Sequence, residues 1–275
     1  MTADERDWAP PEVDTKRANV ARVYDYWLGG NHNFLADQDL ARAICAIDPI
    51  VRAGARANRA FLGRAVRFLS EAGIRQFLDI GSGIPTEGNV HQVAQLANPG
   101  ARVVYADIDD VAVAHSRAIL AGNASAAVIQ ADLREPEKIL SHQTVRGLID
   151  FSQPVGLLLV AVLHFIADAE NPWQIVATLR DALAPGSYLV LGQGTNADKP
   201  AVAEAFERVY NRSVPTDIHM RSRVEISRFF DGFDLVDPGL VYVSLWRPDS
   251  PADVPTDPSQ FANLVGVAKR SPGAP

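Results

Sequence analysis

One stretch constrains the fold of this chain most tightly: Phe77-Leu78-Asp79-Ile80-Gly81-Ser82-Gly83-Ile84-Pro85-Thr86, an apolar run meeting an acid and then a Gly-x-Gly turn. A strand, a glycine turn and a helix in that order form the first βα unit of a doubly wound sheet, with Thr86 placed to cap the helix. The two glycines allow backbone geometry that a Cβ forbids, so a ligand can lie directly against the main chain. A dinucleotide site would add a third glycine for close helix–strand packing. Pro85-Thr86 stands there instead.

Strand and helix signals then alternate. Residues 87–97 read as the first crossover helix, closed by Asn98-Pro99-Gly100, and 101–106 as a second strand ending at Asp107. Asp109 or Asp110 caps the next helix, and 127–131 form a third strand ending at Asp132-Leu133. Residues 155–162 are wholly apolar, as expected of a central parallel strand buried on both faces. Asn171-Pro172 opens a helix with Trp173, Val176, Leu179 and Leu183 at helical spacing, and 187–191 are a fifth strand. A helix over 200–210, an irregular stretch over 211–221, a capping box at Ser222 and Glu225, and an alternating pair, 240–246 with 263–268, complete the pattern. The class is α/β with right-handed crossovers.

Ahead of the first strand, residues 1–17 read as a mobile arm and 18–73 as a helical cap, leaving 74–275 as the core. Val20, Val23, Trp27 and Leu28 form one helical stripe, stopped by Gly29-Gly30. Leu40, Ala43, Ile44 and Ile47 form a second, stopped by Asp48-Pro49. A third helix from about Arg56 carries Phe61, Ala65, Phe68 and Leu69. These helices are expected beside the sheet, not as one of its layers. The single cysteine among 275 residues, Cys45, excludes an internal disulfide framework and fits a reducing cytoplasm. No secretory signal is read, the longest apolar run is too short to span a bilayer, and a net charge of −7 argues against a nucleic-acid groove. The histidines show no pairing at metal-ligand spacing, so no metal is expected.

The chemistry gathers at the strand ends. Asp107 lies the right distance past the glycines to accept from ribose hydroxyls, and Asp109 or Asp110 already supplies the helix cap. Asp132 can accept from an exocyclic amine, or simply open the Arg134-Glu135-Pro136 turn. Three acids at successive strand tips, Asp79, Asp107 and Asp132, suit a ligand with both an ammonium group and a ribose. His164, just past strand four, is either a general base or a histidine held in a buried turn. Tyr24, Tyr26 or Trp27, with Tyr26 preferred, can offer a ring to the cationic group of such a ligand as a cation–π contact. Asn58 and Arg59 either hold a ligand carboxylate or are a helix cap and a surface residue.

These motifs, Asp79-Ile80-Gly81-Ser82-Gly83, Asp107, Asp132-Leu133 and Leu163-His164-Phe165, resemble those of the class I S-adenosylmethionine-dependent methyltransferases. Arg22-Val23-Tyr24-Asp25-Tyr26-Trp27-Leu28-Gly29-Gly30 with Asn33-Phe34, and Arg56-Ala57-Asn58-Arg59-Ala60-Phe61-Leu62, narrow the likeness. They resemble an actinobacterial S-adenosyl methyltransferase family formerly classed as a domain of unknown function. The resemblance implies a Rossmann-like sheet of seven strands, the last antiparallel, with S-adenosyl-L-methionine across the strand tips and S-adenosyl-L-homocysteine as product. It places Gly81, Ser82 and Gly83 under the methionine portion, Asp107 on the ribose with Ile108 beside the adenine, Asp132 and Leu133 at the adenine edge, and Ala161 to His164 as the floor.

A small-molecule acceptor is expected, since Val162-Leu163-His164-Phe165 lacks the signature of methylation on base or amide nitrogen. Arg212, His219, Arg221 and Arg223 can favour an anionic acceptor or form a solvated loop. Two other classes are kept: a non-catalytic cofactor-binding regulator, and a nicotinamide-dependent oxidoreductase on a Rossmann sheet.

Overall fold

The computed structural model describes residues 14–85 and 88–271. Three helices lead, α1 (Val20–Leu28), α2 (Leu35–Ile47) and α3 (Val51–Glu71). Strands and helices then alternate through β1 (Gln76–Ile80), α4 (Val90–Ala97), β2 (Arg102–Asp107), α5 (Asp110–Ile119) and β3 (Ala126–Gln130). Two short helices that the sequence did not announce, α6 (Pro136–Ser141) and α7 (Gln143–Leu148), lead to β4 (Gly156–Val160), α8 (Pro172–Asp181) and β5 (Tyr188–Gly194). The chain closes with α9 (Pro200–Asn211), α10 (Arg223–Ser227), β6 (Asp234–Leu235), β7 (Val241–Tyr242) and β8 (Asn263–Lys269). Thr86, the expected cap, lies outside the described residues; α4 begins at Val90 behind Asn89, whose N–H donates to Gln92 Oε1 at 2.9 Å.

The sheet runs β3-β2-β1-β4-β5-β8-β6, with β7 also paired to β8. Neighbours from β3 to β5 are parallel, and β8 is antiparallel to β5, β6 and β7. The expected seven strands become eight because the outer strand is broken. Leu235 pairs with Ala268 and Val241 with Val265, while Pro238 and Gly239 loop out between them. Both fragments occupy one edge position along β8. The fifth strand runs three residues past its expected end at Leu191, because β8 pairs with it as far as Gly194.

Alternate side chains of the buried strands divide the core, as the two-residue period requires. Leu78, Ile80, Leu157 and Leu159 pack with α6, α7 and α8. Phe77, Val103, Leu158 and Val190 pack with α4 and with Phe61, Leu62, Ala65 and Leu69 of α3. So the third helix is a layer on the sheet, not part of a detached cap. It also begins at Val51, ahead of the expected Arg56. Of the three leading helices, α1 and α2 stand off the sheet, where Val23, Trp27, Leu40 and Ile44 pack against Phe206 and Tyr210 of α9. The inward residue of α2 is Ala41 rather than Ala43, which is exposed.

A buried ion pair fixes these two helices. Arg22 Nε lies 2.9 Å from Asp37 Oδ2, and both side chains are almost fully covered. Asp37 also accepts from the N–H groups of Asn19 and Phe34, at 2.8 and 2.7 Å. The Asn19 side chain caps α1 by accepting from the N–H groups of Ala21 and Arg22. Asp37 thus holds the first turns of both helices at once.

The turn after β1 uses both glycines, for different reasons. Gly81 has φ +75°, and a Cβ there would meet Val162 Cγ2 at 2.3 Å. Gly83 has φ +67° but faces open space.

Two outcomes are expected. Asp37→Ala should cost about 3–5 kcal/mol in urea unfolding, because it strands the Arg22 charge; replacing both partners with apolar residues should recover only part of that, since the N–H groups of Asn19 and Phe34 still lose Asp37 as acceptor. Gly81→Ala should destabilise by at least about 1 kcal/mol more than Gly83→Ala, which adds only backbone strain.

Candidate functional site

Chain order reverses between β1 and β4, the place where open α/β sheets leave a crevice beyond their carboxyl ends. A cavity of about 460 Å³ opens there. Its floor is the Gly81-Ser82-Gly83 turn, Asp107-Ile108 after β2, Ala131 to Arg134 after β3, and Val160 to Val162 at the end of β4. α1, α3 and α9 wall it from the other side. Ala161 has φ +61°, a sparsely populated conformation for a residue with a Cβ. That bend carries Val162 against Gly81 and starts the 3-10 turn Leu163–Phe165 that bears His164.

Two carboxylates dominate the floor. Asp79 is 4% exposed, and among the described residues no donor hydrogen-bonds its carboxylate. Burial pushes its pKa up to about 7, with the nearby Arg59 charge opposing and the Asp107 charge adding. Asp107 has the structural task that the sequence did not show. Its Oδ2 accepts from the Gly83 N–H at 2.7 Å and its Oδ1 from the Asp109 N–H at 2.9 Å, tying the glycine turn to the tip of β2. Burial lifts it to about 6, against the pull of those two bonds. Asp109 caps α5 through the Ala112 N–H, as expected, and its second oxygen accepts from Asn19 Nδ2 at 2.6 Å.

Arg59 borders the cavity and donates to Asn89 Oδ1 at 3.0 Å. Its Nε and the Ser82 hydroxyl are buried without a partner among the described residues. Asn58 is no helix cap. It lies inside α3, 5% exposed, in a relay. Asn263 Nδ2 donates to Asn58 Oδ1, Asn58 Nδ2 donates to the Tyr24 hydroxyl, and that hydroxyl donates to the Ala55 carbonyl at 3.1 Å.

Leu133 is buried at the cavity's edge, and Ile108 is 58% exposed beside Asp107, an apolar side chain that a flat ligand would cover. Asp132 borders the cavity too, but both its oxygens are engaged by Arg134, through the backbone N–H at 2.9 Å and the guanidinium at 3.0 Å. The turn-opening role expected of it is therefore present.

Three expectations change. Tyr26 does not border the cavity: at 100° per residue it falls nearly opposite Tyr24 on α1, and its ring lies under the Arg52 guanidinium at 4.6 Å. Tyr24 and Trp27 face the cavity instead. His164 does border it, but is no base poised near neutral pH. The residue is partly covered, and burial, with Arg221 and His219 adding, pushes its pKa down to about 3. The Gly194 N–H points at Nδ1 from 3.5 Å, which leaves the proton of the neutral ring on Nε2. The basic stretch, finally, does not supply an anion site. Arg221 is buried and donates to the carbonyls of Leu163 and Ile166 and to Asp168, holding the turn that carries His164. Arg223 donates to the Leu240 carbonyl, and neither it, Arg212 nor His219 lines the cavity.

Sequence reasoning missed Asn263, Phe206 and Tyr210. The aromatic pair at i and i+4 on α9 reads as an ordinary buried helix face, and nothing local marks Asn263 as anything but the start of a strand.

The S-adenosyl methyltransferase family model matches residues 6–271. No match was found among curated proteins. Among solved structures, a Thermobifida fusca YX protein with a provisional methyltransferase assignment is 44% identical over 97% of this chain and 100% of its own, with a TM-score of 0.91. A DUF574 family protein from Streptomyces avermitilis is 38% identical over 94% and 99%, with a TM-score of 0.90. An O-methyltransferase family protein from Burkholderia thailandensis, 15% identical over 85% and 60% at a TM-score of 0.53, shares the fold alone. Sequence match and architecture agree, and this chain belongs to the S-adenosyl methyltransferase family.

Proposed function

We propose that the cavity holds S-adenosylmethionine across the tips of β1, β2 and β3, and that its methyl group passes to a small molecule enclosed between α1, α3 and α9. The observation that carries this is the pair of buried carboxylates, Asp79 and Asp107, on adjacent strand tips in one cavity. A bare Asp79 carboxylate in that position favours a cationic ligand group, and Asp107 can exchange the Gly83 N–H for ribose hydroxyls. The described residues fit such a cofactor. Gly83 leaves open space where a side chain would stand, and Ser82 Oγ and Arg59 Nε are unmatched polar atoms, with the guanidinium suited to a carboxylate. Ile108 and Leu133 offer apolar cover to a purine, and Asp132 keeps an edge toward it while bound to Arg134.

When bound, the cofactor supplies a sulfonium methyl whose positive charge is lost on transfer. The chain's own work is placement and exclusion of water. Effective-molarity effects of this kind lower a barrier by about 7–11 kcal/mol when the reacting atoms are well oriented. Ala161 and Val162 set the floor's height, and the 3-10 turn pinned by Arg221 presents His164 as a neutral donor through Nε2. Tyr24 and Trp27 offer rings to the sulfonium from above.

Calorimetric titration with S-adenosylmethionine and S-adenosylhomocysteine tests the reading; absence of binding by both would end it. The buried acids make a further outcome checkable. Both pKa values stand above the ordinary 3.8, so the folded cofactor-free protein keeps protons that the unfolded chain releases. Its stability should therefore fall as pH rises from about 4 to about 7. Asp79→Asn should melt higher than the parent at pH 8 and lose most of that advantage at pH 4, while binding the cofactor about ten- to a hundredfold more weakly. A variant unchanged in both respects would remove Asp79 from the site.

A further inference from the structure

The half of the cavity that faces away from the strand tips has a different character. Its charged neighbours, Asp48 and Lys199, stand at the partly exposed mouth. Inside, a run of rings borders the space. Trp27 and Phe206 lie 6.2 Å apart, Phe206 stacks on Tyr210 at 5.8 Å and 14°, and Tyr210 stacks on Phe165 at 6.2 Å and 28°. His164 packs edge-on against Phe165 at 4.4 Å. Trp27, Phe206 and Tyr210 are at most 7% exposed and form the backing. Phe165 and Tyr24 are only partly covered and turn open surface to the void. Three titratable groups on this wall are held uncharged at neutral pH: burial raises the Tyr24 and Tyr210 hydroxyls and lowers His164.

The relay through Tyr24 ends in this space with a defined polarity. The Ala55 carbonyl can only accept, so the Tyr24 hydroxyl must donate to it. Tyr24 then accepts from Asn58 Nδ2, and Asn58 Oδ1 accepts from Asn263 Nδ2. What remains is Asn263 Oδ1, an acceptor buried at the cavity wall with no partner among the described residues. A buried acceptor left unmatched is costly, and only a donor relieves it.

We propose that this half-cavity is a subsite for a neutral, flat aromatic acceptor carrying one hydroxyl or N–H, its ring on the Phe165–Tyr210–Phe206 wall and its donor on the Asn263 carbonyl oxygen. The proposal rests on the methyl-transfer reading and names its acceptor class. A carboxylated or phosphorylated acceptor is disfavoured, since its charge would be buried against uncharged rings, and Arg59, the cation whose field reaches Tyr24, is the group proposed for the cofactor's carboxylate.

The test is calorimetric titration of the S-adenosylhomocysteine-loaded protein with four probes of similar size: 2-naphthol, 2-methoxynaphthalene, 6-hydroxy-2-naphthoate and decahydro-2-naphthol. 2-Naphthol should bind about tenfold or more tightly than the carboxylate. Its advantage over the methyl ether, which cannot donate, and over the saturated alcohol, which cannot stack, should be about three- to tenfold each. Asn263→Ala should abolish the preference over the methyl ether, and Phe165→Leu the preference over the saturated alcohol. In both variants the affinity for S-adenosylhomocysteine, which also reports on folding, should stay at the parent value. Equal or tighter binding of the carboxylate, equal binding of the saturated alcohol, or loss of S-adenosylhomocysteine affinity in Asn263→Ala would each overturn the subsite. Binding of S-adenosylhomocysteine with no response to any naphthyl probe would sink the subsite and spare the methyl-transfer reading. Failure to bind S-adenosylhomocysteine would sink both.

Discussion

Burial of two like charges on neighbouring strand tips is the constraint around which the site is arranged. Parallel pairing of β1 with β2 brings Asp79 and Asp107 to one edge of the sheet, and the core behind them removes the water that would otherwise screen them. Asp107 is partly relieved by two backbone N–H groups, whereas Asp79 has only the more distant field of Arg59. An arrangement that holds an acid near neutral pKa without a full set of donors is poor for stability and good for receiving a ligand that brings them. The strained Ala161 after β4 belongs to the same economy, since it brings the floor up to the glycine turn at some conformational cost.

The helices over the site are fastened differently from the sheet. Apolar layers hold α3 and α4 to the strands, whereas α1 and α2 are joined to each other by the Arg22–Asp37 pair, share a separate apolar cluster with α9, and reach the tip of β2 through polar contacts. One of these, Asn19 to Asp109, joins the first turn of α1 to the first turn of α5 within two residues of Asp107. The start of the roof and the wall beside Asp107 thus share a single hydrogen-bonded knot. A change in how Asp107 is bonded has a short covalent path to the residue that holds the roof in place.

Much of this was legible in the chain. The glycine turn, the acids closing β1, β2 and β3, and the alternation of strands and helices follow from local patterns, and the Ser222–Glu225 capping box is present as read. Where sequence reading failed, the deciding contact came from far along the chain. The register with β8 lengthened β5, and the sheet face claimed α3, whose stripe looks the same whether it meets a sheet or other helices. His164 reads equally as a near-neutral base or as a histidine held in a buried turn, because what separates the two is burial that no local pattern announces and the charge of Arg221, more than fifty residues away. Tyr26 reads as the better candidate, although residues two apart on a helix point nearly opposite ways, so that it cannot share a cavity with Tyr24 and Trp27. Asn171 shows a subtler gap: it occupies the position before Pro172, yet takes a left-handed conformation and makes no side-chain cap.

The broken outer strand has a consequence for how these molecules meet one another. An unbroken sheet margin offers a ladder of amides onto which a foreign strand can zip, and long flat margins seed fibrils. Here two dipeptides separated by an outward loop cover the flank of β8, and the loop carries a proline that has no amide hydrogen to lend. Ribbon-like growth is blocked on that flank, and the long hydrogen-bonded strand behind it is kept for the fold alone.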